Sequence, residues 1–278
     1  MKLRVATYNI HKGVTGIRRR PRIHDIKMAL ASIDADIVFL QEVQDRNETL
    51  RKHAGYPSAR QLDYLATGGY EHLAYGMNAV YPHGHHGNAI LSRFAIGHYT
   101  NHDISDHALE KRGMLHAVSK VTTPRGRKLR EVHLICVHFG LIKRSRLRQA
   151  MLLADFVEEE IPDEAPLIIA GDFNDWQRRV DELLRSRLDV EEVSVAEPRA
   201  NGSGAAGLRS VLDRVLPWRN GRDVAQPVSR TFPSFAPWLT LDRIYVRGFA
   251  VRRVEVPKGL TWARRSDHAP LIADLELK

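Results

Sequence analysis

LIIAGDFND, residues 167–175, is the stretch from which the fold can be read outward. Four apolar residues run without polar alternation into Gly171, the pattern of a strand buried on both faces. A glycine at the end of such a strand permits a turn or the close approach of another backbone. Residues two apart on extended backbone point the same way, so Asp172 and Asn174 are expected to project together from the strand's end. A carboxylate beside a carboxamide at a sheet edge suits an oxyanion or an attacking water. A strand followed by an Asx-rich turn reads the same in these nine residues.

The same device recurs along the chain. Residues 3–9 (LRVATYN) form a strand pattern ending in Asn9, and residues 37–40 form a buried strand ending in Gln41 and Glu42. Residues 129–138 end in His138, residues 241–246 begin beside Asp242, and Asp267 and His268 lead into a closing strand over 270–277. Between these, residues 145–160 carry Leu147, Met151, Leu152 and Phe156 at helical spacing. Residues 22–32 and 178–187 also read as helices, and 49–66 as helical or irregular. Short strands are expected over 70–75, 88–92 and around Ile96. Residues 114–121 and 129–138 form an antiparallel pair joined by a turn at 123–126. Loops are expected over 82–86 (PHGHH) and 261–266, and a mobile one over the Gly- and Ala-rich 197–207. Strands back to back beside strands separated by helices call for mixed pairing. The expected fold is α/β: a four-layered sandwich of two central mixed sheets flanked by helices, as one domain over residues 1–278.

The chain has 278 residues, 43% of them hydrophobic and 27% charged, enough for a sizeable core. Its formal net charge of +9 points to an anionic partner such as nucleic acid, a phosphorylated small molecule or a lipid headgroup surface. The single cysteine, Cys136, excludes an internal disulfide. It lies in an apolar run, where a thiol is inert rather than nucleophilic. The N-terminus enters a strand pattern at once and no apolar stretch is long enough to span a membrane, so a cytoplasmic protein is expected; a monomer is the default, since the sequence does not give oligomeric state.

The strand-end residues lie in motifs that carry a resemblance: TYNI (7–10), LQEV (40–43), GNAILSR (87–93), VHFGL (137–141), GDFND (171–175), LDRIYV (241–246) and SDHAPL (266–271), in that order. The chain resembles the endonuclease/exonuclease/phosphatase superfamily, which includes pancreatic-type deoxyribonucleases, abasic-site endonucleases, sphingomyelinases and inositol-polyphosphate phosphatases. That superfamily's four-layered fold agrees with the one read above.

The resemblance implies Mg²⁺, with Mn²⁺ as the substitute ion, held principally by Glu42 with Asn9 and Asp267 helping. It implies His268 against the scissile phosphate with Asp242 accepting its other ring N–H, and Asp172 orienting or deprotonating the attacking water. Asn174 would donate to a phosphate oxygen; His138 would do the same or protonate the leaving group. Either Asp172 or His268 could take the proton. Arg112 is a candidate phosphate clamp, and His11 and Lys12 are candidate markers of substrate choice. His83, His85 and His86 are read as solvent-exposed and assigned no metal.

The implied reaction is metal-dependent hydrolysis of a phosphodiester by in-line attack of water. Nucleic acid is the leading substrate on charge, yet no aromatic-rich basic stretch for base stacking is present. Phe235, Trp238 and Leu239 precede Asp242; exposed, they would suit a phospholipid, and buried they would be core. A binding protein that keeps the fold without the activity is the third reading, disfavoured because every acid is present.

Overall fold

The computed structural model describes residues 1–15, 20–53, 55–108, 110–122, 129–194 and 229–278. One six-stranded sheet contains β1 (Lys2–Asn9), β2 (Ile37–Asn47), β3 (His72–Tyr81), β4 (Gly84–Ser92), β11 (Phe249–Glu255) and β12 (Leu271–Leu277), in the order β11-β12-β1-β2-β4-β3. The other contains β5 (Ala95–Asp103), β6 (Gly113–Thr122), β7 (Leu129–His138), β8 (Leu167–Asp172), β9 (Glu191–Glu192) and β10 (Asp242–Arg247), in the order β5-β6-β7-β8-β10-β9. Each sheet has one parallel pair, β1 with β2 and β7 with β8, and its other pairs are antiparallel. The four-layered sandwich of mixed sheets expected from the pattern is what forms.

Alternation along each strand divides the apolar residues among three cores. Val5, Phe39, Leu134, Cys136, Ile168, Ala170 and Ile244 meet between the sheets. Ala6, Tyr8, Val38 and Leu40 face outward onto α1 (Ile23–Ile33) and α2 (Gln61–Ala66). Ile135, Val137, Leu167 and Ile169 face the opposite way, onto α3 (Lys143–Glu160) and α4 (Arg179–Leu188). Residues 167–170 are apolar throughout because both faces of β8 are covered.

Several expectations shift. The 70–75 strand is the start of a longer one, and Gly84, His85 and His86 lie in β4 rather than in a loop, making a β3–β4 hairpin. β11 and a short helix α5 (Leu260–Ala263) occupy segments where no strand or helix was read. The expected turn at 123–126 and the loop at 197–207 lie outside the described residues. No described helix is long and apolar enough to cross a membrane.

Gly171 shows why the opening motif needs its glycine. Its φ is +155°, and a Cβ there would sit 1.9 Å from the carbonyl oxygen of Val137, its register partner on β7. That oxygen belongs to a buried backbone and cannot move aside. Gly171→Ala is therefore expected to lose at least about 2 kcal/mol, read as a lower urea midpoint. An unchanged midpoint would show that β7 and β8 do not approach this closely.

On the outer face of the second sheet, His116 and His133 stack at 5.3 Å with Nε2 and Nδ1 3.1 Å apart, and Phe156 of α3 covers His116 at 5.1 Å. Burial, with His133 and His98 nearby, lowers the His116 imidazole to about 4. Its folded value lies below the unfolded one, so its contribution is intact above about 6.5 and is lost as pH falls towards 4. His116→Gln should flatten the loss of stability between about pH 7 and 5, measured by urea unfolding. Parallel curves for the two proteins would refute that assignment.

Candidate active site

Register brings the site together. His138 on β7 pairs with Asp172 on β8, and Asp172 pairs with Asp242 on β10, so the three occupy one row across the sheet. Cys136, Ala170 and Ile244 form the parallel row two residues further into the sheet, inside the inter-sheet core. By alternation the polar row faces the same way and closes the mouth of that core. Between the rows and the facing sheet lies a polar layer in which Gln41 Nε2 donates to Thr7 Oγ1 at 3.1 Å and to Cys136 Sγ at 3.3 Å. Burial pushes the Cys136 thiol up to about 12, as expected of an inert thiol.

Asp172, 1% exposed, is the hub. Its Oδ2 accepts a hydrogen bond from Asn9 Nδ2 at 3.0 Å across the two sheets, and lies 3.6 Å from His268 Nε2 and 3.7 Å from His138 Nε2. Its Oδ1 accepts from the backbone N–H of Asn174 at 3.0 Å. Behind His268, Nδ1 lies 2.8 Å from Asp242 Oδ2, which also accepts from the hydroxyl of Thr231. Asp242 Oδ1 is buried without a partner among the described residues. The ring of Phe232 lies 4.9 Å from that of His268 and helps fix its plane. The expected pairing of Asp242 with His268 is present in the geometry. Thr231 and Phe232 were not read from sequence, since their place depends on how their loop folds back.

Burial by itself would depress the His268 imidazole, but the Asp242 and Asp172 carboxylates outweigh it and lift it to about 10. Burial pushes Asp172 up to about 6 against the pull of His268 and Asn9. His138 is held well below its ordinary value by burial, then by the charges of Arg112 and His268. At neutral pH, His268 is thus a cation between two carboxylates and His138 a neutral ring.

The expected projection of Asn174 alongside Asp172 needs correction. β8 ends at Asp172, and Asn174 has φ of +50°, so strand alternation no longer applies. Its side-chain N–H donates to Phe139 O at 2.9 Å, and the residue enters the site through a left-handed turn, a conformation that asparagine tolerates. Glu42 also departs from regular strand. Its φ is +58°, in a register shift between Leu40 and Val43. A bulge of this kind re-aims a side chain at the price of local strain.

Glu42 lies 3.8 Å from Lys12 Nζ and accepts no hydrogen bond among the described residues. Asp267 lies 3.0 Å from His11 Nδ1. Burial would raise Asp267, but the bond from His11 and the charge of His268 hold it low. Asn9 Oδ1 accepts from the N–H of His11 at 3.1 Å, and Ser266 Oγ donates to Asn9 O at 2.7 Å, tying β1 to the segment carrying Asp267 and His268. Lys12 and His11, left open by the sequence, therefore line the site. Arg112, the candidate phosphate clamp, is 13% exposed and paired with Glu110 at 2.8 Å, and its charge reaches His138 and His86.

His83 is exposed as expected, whereas His85 and His86 are half-buried. Burial, then Lys12, lowers His86 to about 4, and its Nδ1 has no partner among the described residues. A ligand atom from each of Asp172, Asp242 and His268 also lies within 4.8 Å of the other two, spacing that a metal ion could accept. There, however, Asp242 is bonded to His268 and Asp172 accepts from Asn9 and the Asn174 N–H, whereas Glu42 has only the 3.8 Å ion pair with Lys12 among the described residues.

Comparisons with known proteins agree with this fold. The model of the Endonuclease/Exonuclease/phosphatase family matches residues 6–268. The uncharacterized protein YbhP of Escherichia coli (strain K12) is 38% identical over 275 residues, 99% of this chain and 96% of YbhP. The endonuclease/exonuclease/phosphatase structure from Bacteroides vulgatus superposes with a TM-score of 0.69 at 18% identity, covering all of both chains. The structure of D. rerio TDP2 complexed with single-strand DNA product gives 0.63 at 18% identity, covering 99% of each chain. On the family match and the YbhP relationship, the chain belongs to the endonuclease/exonuclease/phosphatase family.

Proposed function

We propose that this protein is a Mg²⁺-dependent phosphodiesterase that hydrolyses its substrate by in-line attack of water, with nucleic acid as the leading substrate. The observation that carries the reading is the convergence of Asn9, His138 and His268 on Asp172, with Asp242 behind His268.

The residues fit a hard dication. Glu42 and Asp267 supply carboxylate oxygens, both close enough to act on His11, and Asn9 supplies a carboxamide oxygen. An all-oxygen donor set with few carboxylates is what Mg²⁺ prefers. Bound there, the ion would neutralise charge on the phosphoryl oxygens. The chain's own groups do the rest. His268, held cationic, offers its Nε2–H to a phosphoryl oxygen and stabilises charge in the transition state. It is the wrong group to accept a proton, and that role falls to Asp172, which orients the water and takes its proton. Asp242 fixes the His268 tautomer and orientation. His138, kept neutral, acts as a hydrogen-bond donor to phosphate rather than as an acid to the leaving group. Arg112, anchored by Glu110, adds positive charge on the His138 side.

With bis-p-nitrophenyl phosphate and Mg²⁺, Asp172→Ala and Glu42→Ala should each lower kcat/KM by about 10²–10⁴, the range for loss of a positioned acid or base. Removing divalent ions with EDTA should stop turnover and Mg²⁺ should restore it. Full activity after chelation would end the metal-dependent reading, and an intact protein inert on every phosphoester offered would favour a binding protein.

A second reading has a specific observation behind it. Phe235 is 76% and Trp238 65% exposed, so these side chains are not core. Their loop is clamped to the catalytic segment by Ser234, whose N–H donates to Asp267 O at 2.7 Å and whose hydroxyl donates to Ser266 O at 2.6 Å. Exposed aromatics at the site's edge suit a phospholipid. Plasmid DNA and phosphatidylcholine vesicles, tested side by side across a salt titration, separate the two. A nuclease loses activity steeply with salt. In a lipid hydrolase, Phe235→Ser with Trp238→Ser lowers the vesicle-to-plasmid activity ratio at least about tenfold; an unmoved ratio would remove the lipid reading.

A further inference from the structure

A cavity of about 430 Å³ opens beside the candidate active site on the side of the first sheet. Its walls come from the left-handed turn carrying Lys12, the far end of β2 with the turn that follows it, and the β3–β4 hairpin. It is continuous with the site, because Lys12 lines it while Nζ stands 3.8 Å from Glu42. His86, another lining residue, responds to the charges of Glu42, Lys12 and Arg112.

The chemistry of the walls differs from that of the site proper. Asp172, Asp242, Glu42 and Asp267 crowd the catalytic end, yet none of the described residues lining the cavity is a carboxylate. The described ionisable lining groups other than Tyr81 are Lys12, His53, His83 and His86: Lys12 supplies positive charge and the three imidazoles supply ring N–H donors. The oxygen of the Asn47 amide is already engaged, accepting from the N–H groups of Thr49 and Leu50 at 2.9 Å each, which leaves its donor end for a ligand. The phenol of Tyr81 is held by Gln44, and its ring lies 5.8 Å from that of His86, so it is not a free platform for a base. Lys12 is fixed from behind, its carbonyl accepting from Gln61 Nε2 at 3.2 Å. Two buried polar atoms on lining residues have no partner among the described residues: His86 Nδ1, which in its N–H tautomer donates to an anion, and Gln44 Oε1, an acceptor that a water would meet. Unmet buried groups of this kind are uncommon and mark places that a ligand or water completes.

We infer that this cavity is a second anion subsite, taking a phosphoryl group that the substrate carries in addition to the scissile one. The inference rests on the phosphodiesterase reading and deepens it. The same chemistry could come from a terminal phosphomonoester or from the neighbouring phosphate of a polynucleotide, and one experiment can separate these.

The test compares thymidine 5′-(p-nitrophenyl phosphate) with the same ester bearing a 3′-phosphate. Charge-assisted contacts to a second phosphate should give the wild-type protein a kcat/KM at least about tenfold higher for the 3′-phosphorylated ester, expressed in KM. His53→Ala with His83→Ala should bring that ratio close to one, and His83→Lys, which keeps an N–H donor at that position, should retain most of it. A wild-type ratio near one, or a ratio that the double variant leaves intact, would overturn the subsite. The trinucleotide TpTpT against TpT asks about the source. A preference for TpTpT that the double variant loses assigns the subsite to a chain phosphate; loss confined to the 3′-phosphorylated ester assigns it to a terminal one. If neither ester is turned over, it is the phosphodiesterase reading that has failed. Calorimetric titration with inorganic phosphate then tests the cavity alone: saturable binding lost in the double variant upholds it, and equal or absent binding overturns it.

Discussion

The site depends on one constraint, the register by which His138, Asp172 and Asp242 fall opposite one another on β7, β8 and β10. A slip of one residue on β8 would turn Asp172 towards α3 and α4 and bring Gly171 or Phe173 into the row. Two features oppose such a slip. Ile168 and Ala170 belong to the inter-sheet core while Leu167 and Ile169 belong to the outer one, so a shift would misplace both sets. Gly171 also sits where the Val137 carbonyl leaves no room for a side chain, and only one register puts the glycine there. The apolar packing that stabilises the sheets is thus the same packing that aligns the acids.

Holding these groups at the end of a dry core has an electrostatic consequence. Asp172 and Asp242 are 1% and 0% exposed, and buried carboxylates are costly unless paired. His268 lies between them and supplies one positive charge for the two, which is why its imidazole is lifted although it is buried. The arrangement remains short of positive charge, and Glu42 and Asp267 nearby add to the deficit, relieved in part by Lys12 and His11. A phosphoester cannot approach so many acids without further positive charge. On the proposed reading a dication supplies it, and the strained backbone of Glu42 is consistent with a side chain aimed at that ion rather than optimised for folding.

What could be read beforehand followed strand logic. The tips bearing Asn9, Glu42, His138, Asp172, Asp242 and His268 were visible because an apolar run ending in a polar residue is a local pattern. What escaped was set by backbone departures and long-range folding. Asn174 lies beyond the strand in a left-handed turn and Glu42 on a bulge, and neither position follows from alternation. His86 looked like part of a glycine-rich loop, but hairpin pairing with β3 and the neighbouring Tyr81 ring cover part of it. The exposure of Phe235 and Trp238 depends on the hydrogen bonds by which Ser234 fastens their loop to residues 266 and 267, contacts between segments more than thirty residues apart in the chain.

Net charge is a weaker guide to the substrate than its value of +9 suggests. Many arginines are neutralised locally: Arg4 by Glu255 and Asp274, Arg93 by Asp34 and Asp36, Arg187 by Asp155 and Glu158, Arg243 by Glu192. Such pairs contribute little field at a distance. Cations without a carboxylate partner among the described residues include Lys143 and Arg144, just past the strand that ends in His138, and Arg264 and Arg265, just before Ser266. Nearby, Arg265 lies 4.5 Å over the Trp262 ring, and the exposed Trp176 covers the buried Arg146 at 4.4 Å, so charge and aromatic surface lie side by side. A rim of this composition offers electrostatic attraction to any polyanionic surface. It does not distinguish a phosphate backbone from lipid headgroups, and selectivity must then come from what the substrate presents beyond its scissile phosphate.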